Sequence, residues 1–252
     1  MCTVSWKLRE DGFDLFFNRD ELKTRSIALP PAVQLSESMP YIAPMDPDGG
    51  GTWIAVNTAG IGFFILNNYQ NTYLPDPAIR KSRGGLIDGL VHFGSIETAV
   101  KKLCWIDLTC YEPFTIGMIA GGEAVTVYSW DGFILSRKEK IKAPISSSSA
   151  KNWPDIAKWR RQRFAQIVTD AANTKQFIHF HSDYYSVDAA ASVCMRRKNA
   201  VTVSLSHISA TQKAVTFNYK NGAPDAVDWQ TPVVLLREAR QIAAPRLTNL
   251  AE

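Results

Sequence analysis

Cysteine is scarce in this chain: four in 252 residues, Cys2, Cys104, Cys110 and Cys194, with no CxxC pair among them. That spacing argues against a disulfide framework and a cysteine-built metal site, and leaves the question of a single reactive thiol. Long apolar runs are lacking as well. Nothing approaches the roughly 18 uninterrupted apolar residues of a spanning helix, and the run Phe13-Asp14-Leu15-Phe16-Phe17 is bounded by charges. No apolar signal region follows the start, because Met1-Cys2-Thr3-Val4-Ser5-Trp6 leads straight into Lys7 and Arg9-Glu10-Asp11, so the cytoplasm is the expected compartment. An excess of one charge is also missing. Lys and Arg total 28 against 24 Asp and Glu, a net +4, too little to point to nucleic acid or a membrane surface.

What is present is an ordinary globular composition, 46% hydrophobic and 21% charged, which excludes disordered, collagen-like and coiled-coil classes. The length suffices for a core without staples, and neither a repeat nor a linker divides it, so residues 1–252 are expected to form one α+β domain of antiparallel sheets with outer helices. Residues 3–8 alternate polar and apolar, Arg9-Glu10-Asp11-Gly12 is a turn cluster, and residues 13–17 resume an extended run, which predicts a β-hairpin. If Leu8 pairs with Phe13, then Trp6 faces Leu15 and Val4 faces Phe17 on one side of the ribbon. Two residues further, Cys2 meets Arg19, with Asn18 and Asp20 alongside.

Residues 22–51, rich in Pro and Gly, read as a long surface loop. Strands are expected at 52–56 and 61–66, helices at about 84–93 and 95–107, and strands near 114–120, 124–130 and 133–137. Ser146 to Ser149 read as a loop leading to the cap Asn152 and to Pro154. The helix 154–172 turns Ala157, Phe164, Ile167, Val168 and Ala171 inward, leaving Lys158, Arg160, Arg161 and Arg163 as a solvated basic face. Strands follow at 177–181, 200–208, 212–219 and 232–236.

A cysteine at position 2 becomes the first residue once the initiator Met is removed, and its thiol then lies beside a free α-amino group with an ordinary pKa of about 7.7–8.0. Nucleophile and base become one residue. The neutral amine takes the thiol proton, and the thiolate attacks an amide or ester carbonyl to give an acyl-enzyme. Arg19 beside the sulfur favours thiolate, and Asp20 can hold the ammonium or the arginine.

Several segments together resemble one family. Met1-Cys2-Thr3, Phe17-Asn18-Arg19-Asp20-Glu21, Gly50-Gly51-Thr52-Trp53 with Val56-Asn57, Asn67-Asn68-Tyr69, Ser82-Arg83-Gly84 and Trp153-Pro154 resemble, in order and spacing over residues 1 to about 172, the NRDE family, also called the transport and Golgi organisation type. This family is similar to the N-terminal nucleophile hydrolases, and its start resembles bile-salt hydrolases and penicillin acylases. The resemblance implies a four-layer αββα sandwich, Cys2 as nucleophile, Arg19 and Asp20 supporting it, and Asn68 as oxyanion donor with backbone amides. Two departures stand out. Ser146 to Ser149 occupy the place where hydrolase relatives carry an asparagine after the middle strands, and Arg196 and Arg197, the candidates for a C-terminal site arginine, also read as a solvated turn.

The remaining polar candidates are weaker. His179 and His181 lie two apart on an expected strand and would share a face, but no third metal ligand accompanies them. His92 and His207 sit in apolar settings, and Cys104, Cys110 and Cys194 read as small core residues. Two functional classes follow: a hydrolase or acyltransferase acting on a linear, non-peptide amide of a small molecule, or a non-catalytic carrier of a hydrophobic or anionic ligand such as haem or a lipid. What the resemblance implies about secretory organisation and haem handling fits the second. No CxxCH is present, haem ligands would come from His179, His181 or a cysteine, and no bound cofactor or metal is otherwise expected.

Overall fold

A computed structural model describes residues 2–36, 38–169, 171–185 and 187–237. Alternation at the start produces β1 (Cys2–Arg9), a tight turn at Glu10-Asp11, and β2 (Gly12–Leu22). Their register pairs Cys2 with Arg19, Val4 with Phe17, Trp6 with Leu15 and Leu8 with Phe13, the pairing the alternation predicts. The chain then builds a second sheet from β3 (Leu29–Gln34), β4 (Tyr41–Met45), β5 (Ile54–Asn57), β6 (Gly62–Asn67), β7 (Phe114–Ile119), β8 (Thr126–Trp130) and β9 (Leu135–Lys138). These strands lie side by side in chain order, all antiparallel. β10 (Ile145–Ser147) returns to pair with β1, and β11 (Ala200–Ala210), β12 (Ala214–Asn221) and β13 (Val233–Leu236) complete the first sheet in the order β10-β1-β2-β11-β12-β13.

The two sheets face one another across the main core, where Val4, Leu15 and Phe17 of the first meet Ile54, Phe64 and Ile116 of the second. Alternation sends Phe16 to the opposite face of β2, against Phe177, Ala172 and Leu205. Among the described residues four α-helices cover the outer faces: α1 (Gly84–Leu90) and α2 (Ile96–Trp105) over the second sheet, α3 (Trp153–Ile167) and α4 (Thr174–His181) over the first. This is the α+β layering expected from the sequence.

Several local expectations are corrected. Residues 22–51 hold the strands β3 and β4; β3 is an edge strand, where Pro30 and Pro31 remove no interior ladder bond. Ser146 and Ser147 lie in β10, opposite Thr3 and Cys2. Residues 177–181 are helical, nucleated by a capping box in which Asn173 and Gln176 satisfy each other's backbone. Helical geometry separates His179 from His181, so the first is exposed and the second fully buried. α3 ends at Ile167 and buries Ile156, Ala157 and Arg160, while Phe164 and Val168 are only half-buried and Ala171, beyond the helix, is exposed. Cys104 is exposed on α2, not a core residue. No helix among the described residues is long and apolar enough to cross a membrane.

Candidate functional site

Cys2 opens β1 with Ser147 on one side and Arg19 on the other. The pair register turns Cys2, Val4 and Trp6 toward the second sheet, so the thiol sits at the end of the inter-sheet core and lines a cavity of about 330 Å³. Arg19 walls the same cavity. Its guanidinium lies over the Trp53 ring, 4.5 Å from the centroid, and its Nη2 is 3.3 Å from Glu21 and 3.2 Å from Asp46. Asp46 also receives Arg25 at 2.5 Å, and the two arginines hold its carboxyl below the usual range although burial alone would raise it.

The opposite wall depends on a close backbone approach. A Cβ on Gly51 would fall 2.5 Å from the carbonyl carbon of Gly84, so only glycine lets the Gly49–Thr52 segment lie directly on Ser82-Arg83-Gly84. That contact brings the Arg80–Arg83 segment to the cavity.

Burial raises the Cys2 thiol pKa and the Asp20 carboxylate adds to it, against the backbone N–H of Asp20 and the charge of Arg19. The sequence expectation that Arg19 would leave the thiolate favoured is thus outweighed by desolvation. Asp20 points to the other face of β2, where its Oδ1 accepts from the Thr202 hydroxyl at 2.6 Å. Burial raises the Asp20 pKa, opposed by the charge of Arg160 and by the Thr202 bond.

Arg160 is the residue that sequence reasoning missed. Expected on a solvated face, it is fully buried and donates to Thr3 Oγ1 at 2.7 Å and to the carbonyls of Ser192 at 2.6 Å, Ala191 at 3.1 Å and Ala190 at 3.3 Å. It thereby ties the residue beside Cys2 to the 190–192 loop and sets a buried positive charge within range of both Asp20 and Cys2. Its helical neighbour Ala157, buried one turn earlier, was the available signal that this stripe faces inward.

Asn68 donates to Ser129 Oγ at 3.3 Å and lines an adjoining cavity with Ser146, Ser147 and Ser148. The preceding Asn67 lines the Cys2 cavity and donates to the Tyr69 hydroxyl at 2.6 Å. Cys2 and its strand partner Ser147 thus belong to neighbouring cavities. Arg196 and Arg197 lie elsewhere, along a cavity of about 570 Å³ lined by Leu22, Ile27, Val201 and Tyr219, which meets the Cys2 cavity at Arg19. Arg196 forms an ion pair with Asp225 at 2.5 Å.

One arrangement imitates a catalytic triad. Ser5 Oγ is 2.8 Å from His181 Nε2, and His181 Nδ1 is 3.1 Å from Asn18 Oδ1, all fully buried. The Asn18 amide donates to the carbonyls of His181 and Val193, so its Oδ1 faces Nδ1–H, and the set clamps α4 to the first sheet. Among the described residues, no cluster of three His, Cys, Asp or Glu side chains is placed to hold a metal.

The sequence profile described as Transport and Golgi organisation 2 matches residues 1–217. The chain belongs to the Transport and Golgi organisation 2 family. No curated protein matches it by sequence. Its fold is nevertheless shared with solved N-terminal nucleophile hydrolases. A variant of conjugated bile acid hydrolase from Clostridium perfringens matches with a TM-score of 0.60 at 9% identity, covering 99% of this chain and 100% of that one. The Caenorhabditis elegans orthologue of N-acylethanolamine-hydrolyzing acid amidase gives 0.59 at 12% identity over 93% and 100%. Penicillin V acylase from Agrobacterium tumefaciens gives 0.52 at 10% identity over 90% and 85%. This member of the Transport and Golgi organisation 2 family therefore carries the N-terminal nucleophile hydrolase fold, with two antiparallel sheets between helical layers.

Proposed function

We propose that this protein is an N-terminal-cysteine hydrolase or acyltransferase acting on a linear, non-peptide amide of a small molecule. The observation that carries the reading is the register that seats Cys2 directly opposite Arg19, both on the wall of one cavity. The solved proteins that share the fold support it, since their names describe an amidase, an acylase and a bile acid hydrolase. Met1, whose removal the mechanism requires, lies outside the described residues.

With Met1 removed, the Cys2 amine takes the Sγ proton, which a thiol kept neutral by burial still holds at neutral pH. The sulfur attacks the amide carbonyl, and collapse breaks the C–N bond as the ammonium returns its proton to the leaving amine. Water then cleaves the thioester with the same amine as base, or a second nucleophile takes the acyl group. Arg19 positions the cysteine and holds charge beside it, and Asp20 with Arg160 steadies the start of the strand. Asn68 is the proposed oxyanion donor; it lines the cavity shared by Ser147, the strand partner of Cys2.

Amine release from a panel of short- and long-chain N-acyl amides tests this: the wild-type chain should turn over at least one, and Cys2→Ala none. Asn68→Ala should lower kcat by about 10²-fold, the scale of a lost oxyanion donor, with Asn67→Ala milder. A larger loss in Asn67→Ala would transfer the role to its neighbour.

One observation favours a second reading, a carrier. The cavity of about 570 Å³ beyond Arg19 has the dimensions of a small-molecule site and apolar walls from Leu22, Ile27 and Val201. Stoichiometric binding of a fatty-acid probe without turnover of any amide would support it. The haem ligands considered from sequence do not fit this cavity: His179 is exposed on α4, His181 is bonded to Ser5 and Asn18, and no described cysteine lines the wall.

A further inference from the structure

The charges around the Cys2 cavity are unevenly matched. On the wall formed by β2 and the loop after it, Arg19 and Arg25 are answered by Glu21, Asp46 and Asp48 at 2.5–3.6 Å. Elsewhere on the wall three cations, Arg80, Lys81 and Arg83, follow almost in succession, and the carboxylate in ion-pair contact with them is Glu112, 3.5 Å from Arg80 and 3.2 Å from Arg83. Among the described residues no carboxylate comes within ion-pair distance of the Lys81 ammonium, whose charge reaches only the exposed Asp107 from further off. The surplus positive charge therefore lies on the Arg80–Arg83 segment, which lines the same cavity as Arg19 and the Cys2 thiol.

This segment is held in place. The Lys81 N–H donates to the Cys110 carbonyl at 2.8 Å and the residue bridges to Tyr111, while Arg83 donates to the Pro113 carbonyl at 3.3 Å. The Gly51–Gly84 contact fixes its far end. Anchored backbone, two guanidinium forks that share one carboxylate and an ammonium with no carboxylate in direct contact are the parts of a site for a planar or tetrahedral anion.

We propose that Arg80, Lys81 and Arg83 form an anion-binding subsite of the Cys2 cavity, so that the amide it acts on carries a carboxylate or phosphate close to the scissile bond. The substrate assignment rests on the hydrolase reading; the subsite itself does not. The cavity admits such a ligand, since about 330 Å³ is at the small end of ligand sites.

The test compares two alkylating reagents of nearly equal size, anionic iodoacetate and neutral iodoacetamide, with rates at Cys2 read by peptide mapping. Relative to glutathione, Cys2 should favour iodoacetate by on the order of 10-fold at low salt, the scale of steering into a cleft of one sign, and added salt should erase the preference. In the double variant Arg80→Gln/Lys81→Gln the preference should collapse while the iodoacetamide rate is kept. Carboxylate-bearing N-acylglycines should likewise be cleaved faster than matched neutral N-acyl amines. A Cys2 ratio equal to that of glutathione, or one unchanged in the double variant and so owed to Arg19, overturns the subsite. Alkylation needs no turnover, so a silent amide panel with the preference intact would remove the hydrolase reading and leave the subsite standing. Cleavage of neutral amides as fast as acidic ones would do the reverse.

Discussion

Arg160 has all its described donors engaged by Thr3 and three loop carbonyls, in a place no water reaches. Removing it strands those acceptors and the Asp20 carboxyl nearby, so Arg160→Leu should cost about 3–5 kcal/mol, measured by urea unfolding, and should slow Cys2 alkylation as well. Helical spacing from Ala157 hinted at the inward direction but could not show the bonds, because the carbonyl partners come from residues 190–192 and an arginine counts as polar wherever it points. Cys2 opposite Arg19 was legible for the opposite reason: strand alternation is local and fixes pairing two residues at a time. His181 supplies a pH test. Burial, then the charges of Arg160 and His207, lower its pKa to about 3. The unfolded chain, with histidine near 6.5, binds a proton the native state refuses, so its contribution is full above about pH 6.5 and lost as pH falls toward 3. Stability should drop by about 1.4 kcal/mol per pH unit between pH 6 and 5, and His181→Gln should flatten that slope. An unchanged slope would mean the imidazole is already charged or solvated.

Among the elements, the hairpin β1–β2 and the strands β5 to β8 follow from their hydrophobic patterns and turn residues, whereas α4 does not. Phe177-Ile178-His179-Phe180-His181 is too short to choose between periods, and the deciding signal was the Asn173–Gln176 capping box just before it. β3 and β4 were hidden because proline marks loops in general but is harmless on an edge. Trp6 joins the two sheets: its ring stacks on Phe64 of β6 at 6.2 Å, and Phe64 in turn covers Gly117, where a Cβ would meet the ring at 2.0 Å. Trp6 is half-buried, so Trp6→Ala should cost about 2–3 kcal/mol, below the 3–5 of a fully buried aromatic. Calorimetry of Trp6→Ala checks this, and an unchanged melting temperature would put that ring in solvent.

At the scale of the molecule, two sheets meet face to face, and the start of the first opens onto a charged cavity at their common edge. The layering was legible in the order of strands and helices; the cavity was not, because its walls come from residues 19–25, 46–53, 65–67 and 80–84, united only by folding. The same distance in sequence concealed the charge surplus at Arg80–Arg83. The proposed chemistry requires that Cys2, freed of Met1, accept an acyl group. Protein purified from cells, treated with a medium-chain activated acyl ester and mapped by mass spectrometry, answers that directly. The predicted result is an N-terminal peptide that begins at Cys2 and carries the acyl group there, formed faster than any adduct on the exposed Cys104. A peptide that still begins with Met1, or acylation confined to Cys104, would contradict it.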